Sequence, residues 1–397
     1  MRLPGKRFLN TGLLLVLLVT ITLYQSEIGG PESVWNAVAV AAGAVFVVSN
    51  LRLSRSFIGL FAIPVCLLAL SVIANAPEVQ ASGIRSAVAT SVGFGLFALP
   101  PVTLHHRLLR RLVIVYVLAC LGLSIKIYFE RPVAAANANF NINPNSAAAL
   151  FYLCAVLTLY FIDARIKWII VIICGLLMVT TQARMGAVVF GATLIAYALV
   201  AHRKWLPRLG TVARRMLRVV PAALLCLIAI RALLPAYSDR LLERFRLVWD
   251  YESLFRNRLV IWDLGLRLSW ESPRAAAFGH GPATISRLIG RGSHSSYLEA
   301  AGSYGYLFLF AALLTLVLWI RAVVRRGHPQ ILAVALPLML YGVTETFLFS
   351  GVSMLWFLIA LVGIYLHCNP PESNWSMDGT GTSRGHGPDY APGGGAT

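Results

Sequence analysis

Long apolar runs separated by short polar breaks dominate the chain from residue 8 onward. Runs of about 17–20 apolar residues are long enough to cross a bilayer as helices, which satisfy their own backbone hydrogen bonds. Twelve such spans are expected, at about 8–24, 33–48, 57–74, 84–99, 108–128, 145–162, 166–181, 185–201, 217–235, 299–320, 330–347 and 350–367. Two pairs of spans, meeting around Asp163–Lys167 and Thr181–Arg184, are hairpins with almost no loop. One long polar stretch, roughly 236–298, interrupts the pattern. Within it Ser238 or Asp239 is placed to cap a helix over 240–250, and Ser253 to cap a second. In the second helix Phe255, Leu259, Trp262 and Leu266 recur at spacings of four, three and four, an apolar stripe expected to lie against the outer ends of the spans. Asp263–Arg267 and Arg267–Glu271 pair on a more polar side, and Pro273 should stop the helix.

The expected fold class is therefore an all-α polytopic membrane protein with about twelve transmembrane helices and one long helical extracytoplasmic loop. Its parts are nine spans over 1–235, the loop over 236–298, three spans over 299–368, and a Gly-, Ser-, Thr- and Pro-rich tail over 369–397 that should be disordered and cytoplasmic. Composition agrees: 58% of residues are hydrophobic and only 13% charged, against about 25% charged in a soluble domain.

Charge orients the spans. Nineteen Lys and Arg fall on the side of the termini, and four (Arg85, Lys126, Arg131 and Arg184) in the short segments opposite. By the positive-inside rule both termini are cytoplasmic and the long loop is outside. The same distribution accounts for the net charge of +18 without nucleic acid. The N-terminus resembles a signal peptide, but Tyr24-Gln25-Ser26-Glu27 offers no small-residue cleavage site, so an uncleaved first span is expected. Of six cysteines, five lie inside apolar runs and none in the loop; no CxxC or Cys/His pair has metal-ligand spacing. The loop has no Asp-x-Asp pair, so a Mg²⁺-diphosphate site is not expected. No G-x-S-x-G elbow or P-loop is present.

A few polar residues on the outer side are candidates for chemistry. Arg184, flush with two apolar spans, either snorkels to lipid phosphate or offers a fixed guanidinium to a phosphorylated lipid substrate. Arg256 and Arg258 precede Trp262; Arg258 and Trp262 share a helix face, and the two arginines are either surface charge or anion ligands. His294, in Ser293-His294-Ser295-Ser296-Tyr297-Leu298-Glu299, is either a solvated loop histidine or a base at the bilayer surface. Gly279-His280-Gly281-Pro282 is a turn. Glu345, closing the eleventh span outside, is either exposed or paired with an Arg or His.

Four sequence pieces, in order over roughly 140–350, resemble the O-antigen ligase and polymerase superfamily, membrane glycosyltransferases of the type C architecture. They are Asn143-Pro144-Asn145, Thr181-Gln182-Ala183-Arg184-Met185-Gly186, the run Arg258…Trp262…Pro273…Gly279-His280-Gly281, and His294-Ser295 followed after nine residues by Gly305. Phe308, Ala183 and Met185 depart from the family pattern. The likeness is closest to the ligases. It implies metal-independent, inverting transfer of a glycan from an undecaprenyl-diphosphate carrier to an acceptor hydroxyl, a lipid A–core sugar or other glycan, at the outer leaflet of the bacterial inner membrane, with no cofactor. His294 would be the base, and Arg184, Arg258 and Arg256 would hold the diphosphate. Glu345 or Glu299 would orient the imidazole, with Tyr297, Trp262, Gly279, Gly281 and Asn145 in support, and the spans would form a groove for the polyprenyl tail among membrane lipids. Polymerisation of repeat units is the alternative within the superfamily. A twelve-span lipid-linked oligosaccharide transporter or flippase is the alternative outside it; such proteins concentrate charge near the bilayer midplane, whereas here it collects at the outer ends.

Overall fold

The computed structural model describes residues 4–26, 32–50, 61–77, 79, 81–98, 102, 104–130, 144–162, 166–181, 183–201, 251–282, 294–346, 348–349 and 353–368. They form an all-helical bundle with no strand among them. The expected span over 217–235, the helix over 240–250 and the tail from 369 lie outside the described residues.

Among the described residues, the first eight helices follow the apolar runs: α1 (Pro4–Ser26), α2 (Glu32–Asn50), α3 (Ile63–Ala74), α4 (Ala81–Ala98), α5 (His106–Glu130), α6 (Pro144–Phe161), α7 (Ile166–Thr180) and α8 (Arg184–Ala201). Both tight hairpins are real, since α6, α7 and α8 are separate helices joined by a few residues.

The later elements differ from expectation. Helix α9 spans Tyr251–Ser269 and stops before Pro273, which instead opens a short helix, α10 (Pro273–Phe278). Ser272 caps α10 by accepting a hydrogen bond from Ala275 N at 3.0 Å. Proline is pre-shaped for that first helical position, where its missing N–H costs nothing. The apolar run over 299–320 is two helices, α11 (Ser296–Tyr304) and α12 (Tyr306–Arg325), broken at Gly305 with φ 88°. After a 3₁₀ turn, α13 (Leu332–Tyr341) ends early, leaving Glu345 in the following turn, and α14 (Met354–Cys368) closes the described chain.

The core sits around α6 and α14. From Ala147 to Ile162 every residue of α6 and its end is buried, as are Met354–Gly363 of α14. Helices that are apolar on all sides belong in the centre of a bundle. Around them α1, α2, α4, α5, α7, α8, α12 and α13 bury one face each. Their opposite faces expose apolar side chains such as Val48, Val115, Ile169, Ile195 and Phe310. Among the described residues two helical stretches, Gly5–Leu23 and Tyr306–Arg325, are long and apolar enough to cross a bilayer, and seven more apolar helices have 10–17 residues.

Candidate active site

Asn145, Arg258, His294 and Glu345 come from four separate parts of the chain and meet at one end of the bundle. Asn145 lies in the first turn of α6, Arg258 on α9, His294 just before α11, and Glu345 just after α13. The Glu345 carboxylate is the shared point. Its Oε1 accepts Arg258 Nη2 at 3.1 Å and Asn145 Nδ2 at 3.1 Å. The Arg258 and Glu345 side chains are 24% and 13% exposed, so the pair sits at the edge of the packed interior with the guanidinium still reachable from outside.

Arg258 reaches this point because α9 is rotated from the expected orientation. Ile261, Gly265 and Ser269 form the buried face, with Arg258 and Trp262 half-buried beside them, while Leu259 and Leu266 of the expected apolar stripe are exposed. Gly265 and Ser269 are small and buried, and α9 packs against α11. The Phe255 side chain lies outside the described residues. Asp263 and Arg267 pair at 2.9 Å on the open side, as expected.

His294 has a left-handed backbone, φ 49°, unusual for a residue with a side chain. It is half-buried. Burial, and then the positive charge of Arg258 nearby, hold its imidazole below the ordinary histidine value. It is therefore neutral at physiological pH and able to accept a proton. Glu345 is pushed up by burial and pulled part-way back by Arg258 and Asn145. Of the two acids expected near the imidazole, Glu345 thus binds Arg258, and Glu299 accepts Ser303 Oγ at 3.2 Å on its own helix. Tyr297 donates to Met339 O at 2.6 Å and ties α11 to α13.

Arg184 opens α8. Gly186, two residues on, lies against Ala148 of α6, so this end of α8 stands beside the turn that carries Asn145. The side chains of Arg184 and Arg256 lie outside the described residues.

The Gly279-His280-Gly281 turn is scaffold. A side chain at Gly279 would collide with the Ser303–Tyr304 backbone, and one at Gly305 with Ala277 and Phe278, so the two glycines let α10 and the α11–α12 junction interlock. His280 N donates to Gly302 O at 2.8 Å, and the His280 ring engages Leu268 O at 2.9 Å. From α3, Ser71 Oγ donates to Phe278 O and Ser303 O, and Asn75 to Gly279 O. Ser71 and Asn75 were not singled out in the sequence, although two polar residues four apart beside an apolar run were a signal.

Compared with known proteins, the chain matches no family model, no curated protein and no solved structure.

Proposed function

We propose that this chain is a membrane glycosyltransferase of the O-antigen ligase kind, which moves a glycan from an undecaprenyl-diphosphate carrier to an acceptor hydroxyl, such as that of a lipid A–core sugar, at the outer leaflet. The observation that carries the reading is the meeting, at one end of the bundle, of the half-buried His294 with Arg258, whose Nη2 is held at 3.1 Å by the Glu345 carboxylate. The apolar outer faces of the helices support a lipid surround, since contiguous exposed apolar surface of that extent is unfavourable in water. The residues resembling the ligases supply the reaction class.

The chemistry balances without a strong acid. His294 takes the acceptor's proton as its oxygen attacks the anomeric carbon. The bond from that carbon to the diphosphate oxygen breaks on the opposite face, and polyprenyl diphosphate leaves with the electron pair. Arg258 stabilises the charge growing on it. A guanidinium has five N–H donors; the bond from Nη2 to Glu345 fixes the fork and leaves donors for phosphate. Arg184, at the same end of α8, is the second phosphate ligand in this reading.

The test uses purified protein in nanodiscs with EDTA, undecaprenyl-diphosphate-linked glycan, and lipid A–core acceptor added or omitted. Acceptor-dependent transfer is expected, falling about 10²–10⁴-fold in His294→Ala, the range for loss of a general base. Chain extension without acceptor would make the protein a polymerase. No transfer by folded wild type, with glycan instead crossing the bilayer, would make it a flippase.

A further inference from the structure

Four hydrogen bonds tie Ser296 to the turn after α13. Its amide donates to Gly342 O at 2.8 Å and to Glu345 O at 3.1 Å. Its hydroxyl donates to Glu345 O at 2.5 Å and accepts from Leu348 N at 2.9 Å. The residue is 1% exposed. Ser295, beside it, uses its own hydroxyl to cap α11. The two serines therefore have separate tasks: one starts the helix, and the other fastens that start to the turn after α13. His294 is the next residue back, and Glu345, whose backbone is fastened, is the residue whose carboxylate holds Arg258.

We propose that Ser296 is a positioning residue, whose bonds to the 342–348 turn hold His294 and the Arg258–Glu345 pair in one fixed arrangement. This rests on the reading of His294 as base and Arg258 as diphosphate ligand. Serine suits the place because a hydroxyl both donates and accepts, and here both capacities are used. Alanine would remove the Glu345 bond and the acceptor for Leu348 N while leaving the two amide bonds of residue 296 in place. The junction loosens rather than parting. The charged and titratable groups around it are Arg258 from α9, Tyr341 and Glu345 from α13 and its turn, and Tyr297 and Glu299 on α11 itself. Of these, Arg258 is the one that acts on His294 electrostatically.

The experiment compares Ser296→Ala and Ser296→Thr with Thr193→Val. Thr193 is a buried hydroxyl bonded to Tyr152 at 2.7 Å in the α6–α8 contact, so its loss reports the cost of removing a buried hydrogen bond elsewhere. Histidine-labelled protein in nanodiscs is titrated by NMR, the His294 signal being assigned by its absence in His294→Ala. In Ser296→Ala the His294 titration should move upward toward the ordinary value, as the ring gains water and distance from Arg258. Ser296→Thr should restore it, and Thr193→Val should leave it in place. Transfer by Ser296→Ala should lose roughly 10–100-fold in kcat, the scale of a misplacement of about 1 Å, with donor KM changed less. An unmoved His294 titration in a folded Ser296→Ala protein would overturn the proposal, as would equal kcat losses in Ser296→Ala and Thr193→Val. The titration needs no substrate. A shifted titration in a protein whose wild type transfers nothing would keep the positioning role and reject the glycosyltransferase. If the alanine variant does not reach the membrane, Ser296→Cys, with its weaker donor, carries the same comparison.

Discussion

At the scale of single residues, the His294 imidazole and the Arg258 guanidinium work against each other as charges and, in the proposed reaction, together as chemistry. Both burial and Arg258 disfavour protonated His294, so the acid limb of kcat/KM should fall below the ordinary histidine value of about 6.5. Activity is then retained above that limb and lost as pH falls through it. In Arg258→Ala the limb should move up toward 6.5, and donor KM should rise about 10-fold or more, the worth of a hydrogen bond to a charged group. A pH–rate series on the two proteins checks both. Glu345 has the opposite sign. Its folded value is raised, so its contribution to stability is present below the unfolded carboxylate value and lost as pH rises through the folded one. Glu345→Gln should therefore melt at or slightly above wild type at pH 7. Arg258→Ala strands a mostly buried carboxylate and should cost about 1–3 kcal/mol, read as a lower melting temperature. Arg258, His294 and Glu345 were legible one at a time, as polar groups on the outer side, and Asn145 only through the resemblance. Their meeting was not, because Asn145 and Glu345 are 200 residues apart and nothing in one sequence pairs them. Ser296 was harder still to see. All four of the bonds that tie it down go to or from the backbone of the turn after α13, and backbone groups have no sequence signature.

Among elements, the interlock of Gly279 and Gly305 makes the firmest prediction. Gly305→Ala puts a methyl into the Ala277 carbonyl at a backbone angle that alanine avoids. It should cost about 2 kcal/mol or more, from strain and overpacking together. Gly122→Ala, on α5 with open space around it, should be neutral or stabilising by up to about 1 kcal/mol from helix propensity. Thermal aggregation followed by size-exclusion chromatography ranks the two. Most helices were legible because each is a long apolar run, and the bounds of α1, α2 and α4–α8 follow those runs closely. The break at Gly305 was hidden because an isolated glycine inside an apolar run reads as tolerated. The rotation of α9 was hidden for a different reason. Its most apolar stripe is not its packed face; Ile261, Gly265 and Ser269 are the buried positions, and Arg258 beside them has an acid to reach.

For the whole molecule, the outward apolar faces and the distribution of Lys and Arg predict a protein that stays with membranes through a carbonate wash and needs detergent to leave them. A fluorescent protein fused at either end should fold in the cytoplasm, and alkaline phosphatase fused there should be inactive; the reverse result would turn the site to the cytoplasmic face. The described helices also have a filled middle. Helix α6 begins at the site with Asn145 and runs buried to Phe161, and near its far end Tyr160 donates to Gln330 O. Among the described helices, that packing makes a bench rather than a doorway. In the proposed reaction, donor and acceptor arrive, react and depart on one side. The proposed transfer therefore calls for a separate machine that has already turned the carrier-linked sugar chain across the bilayer.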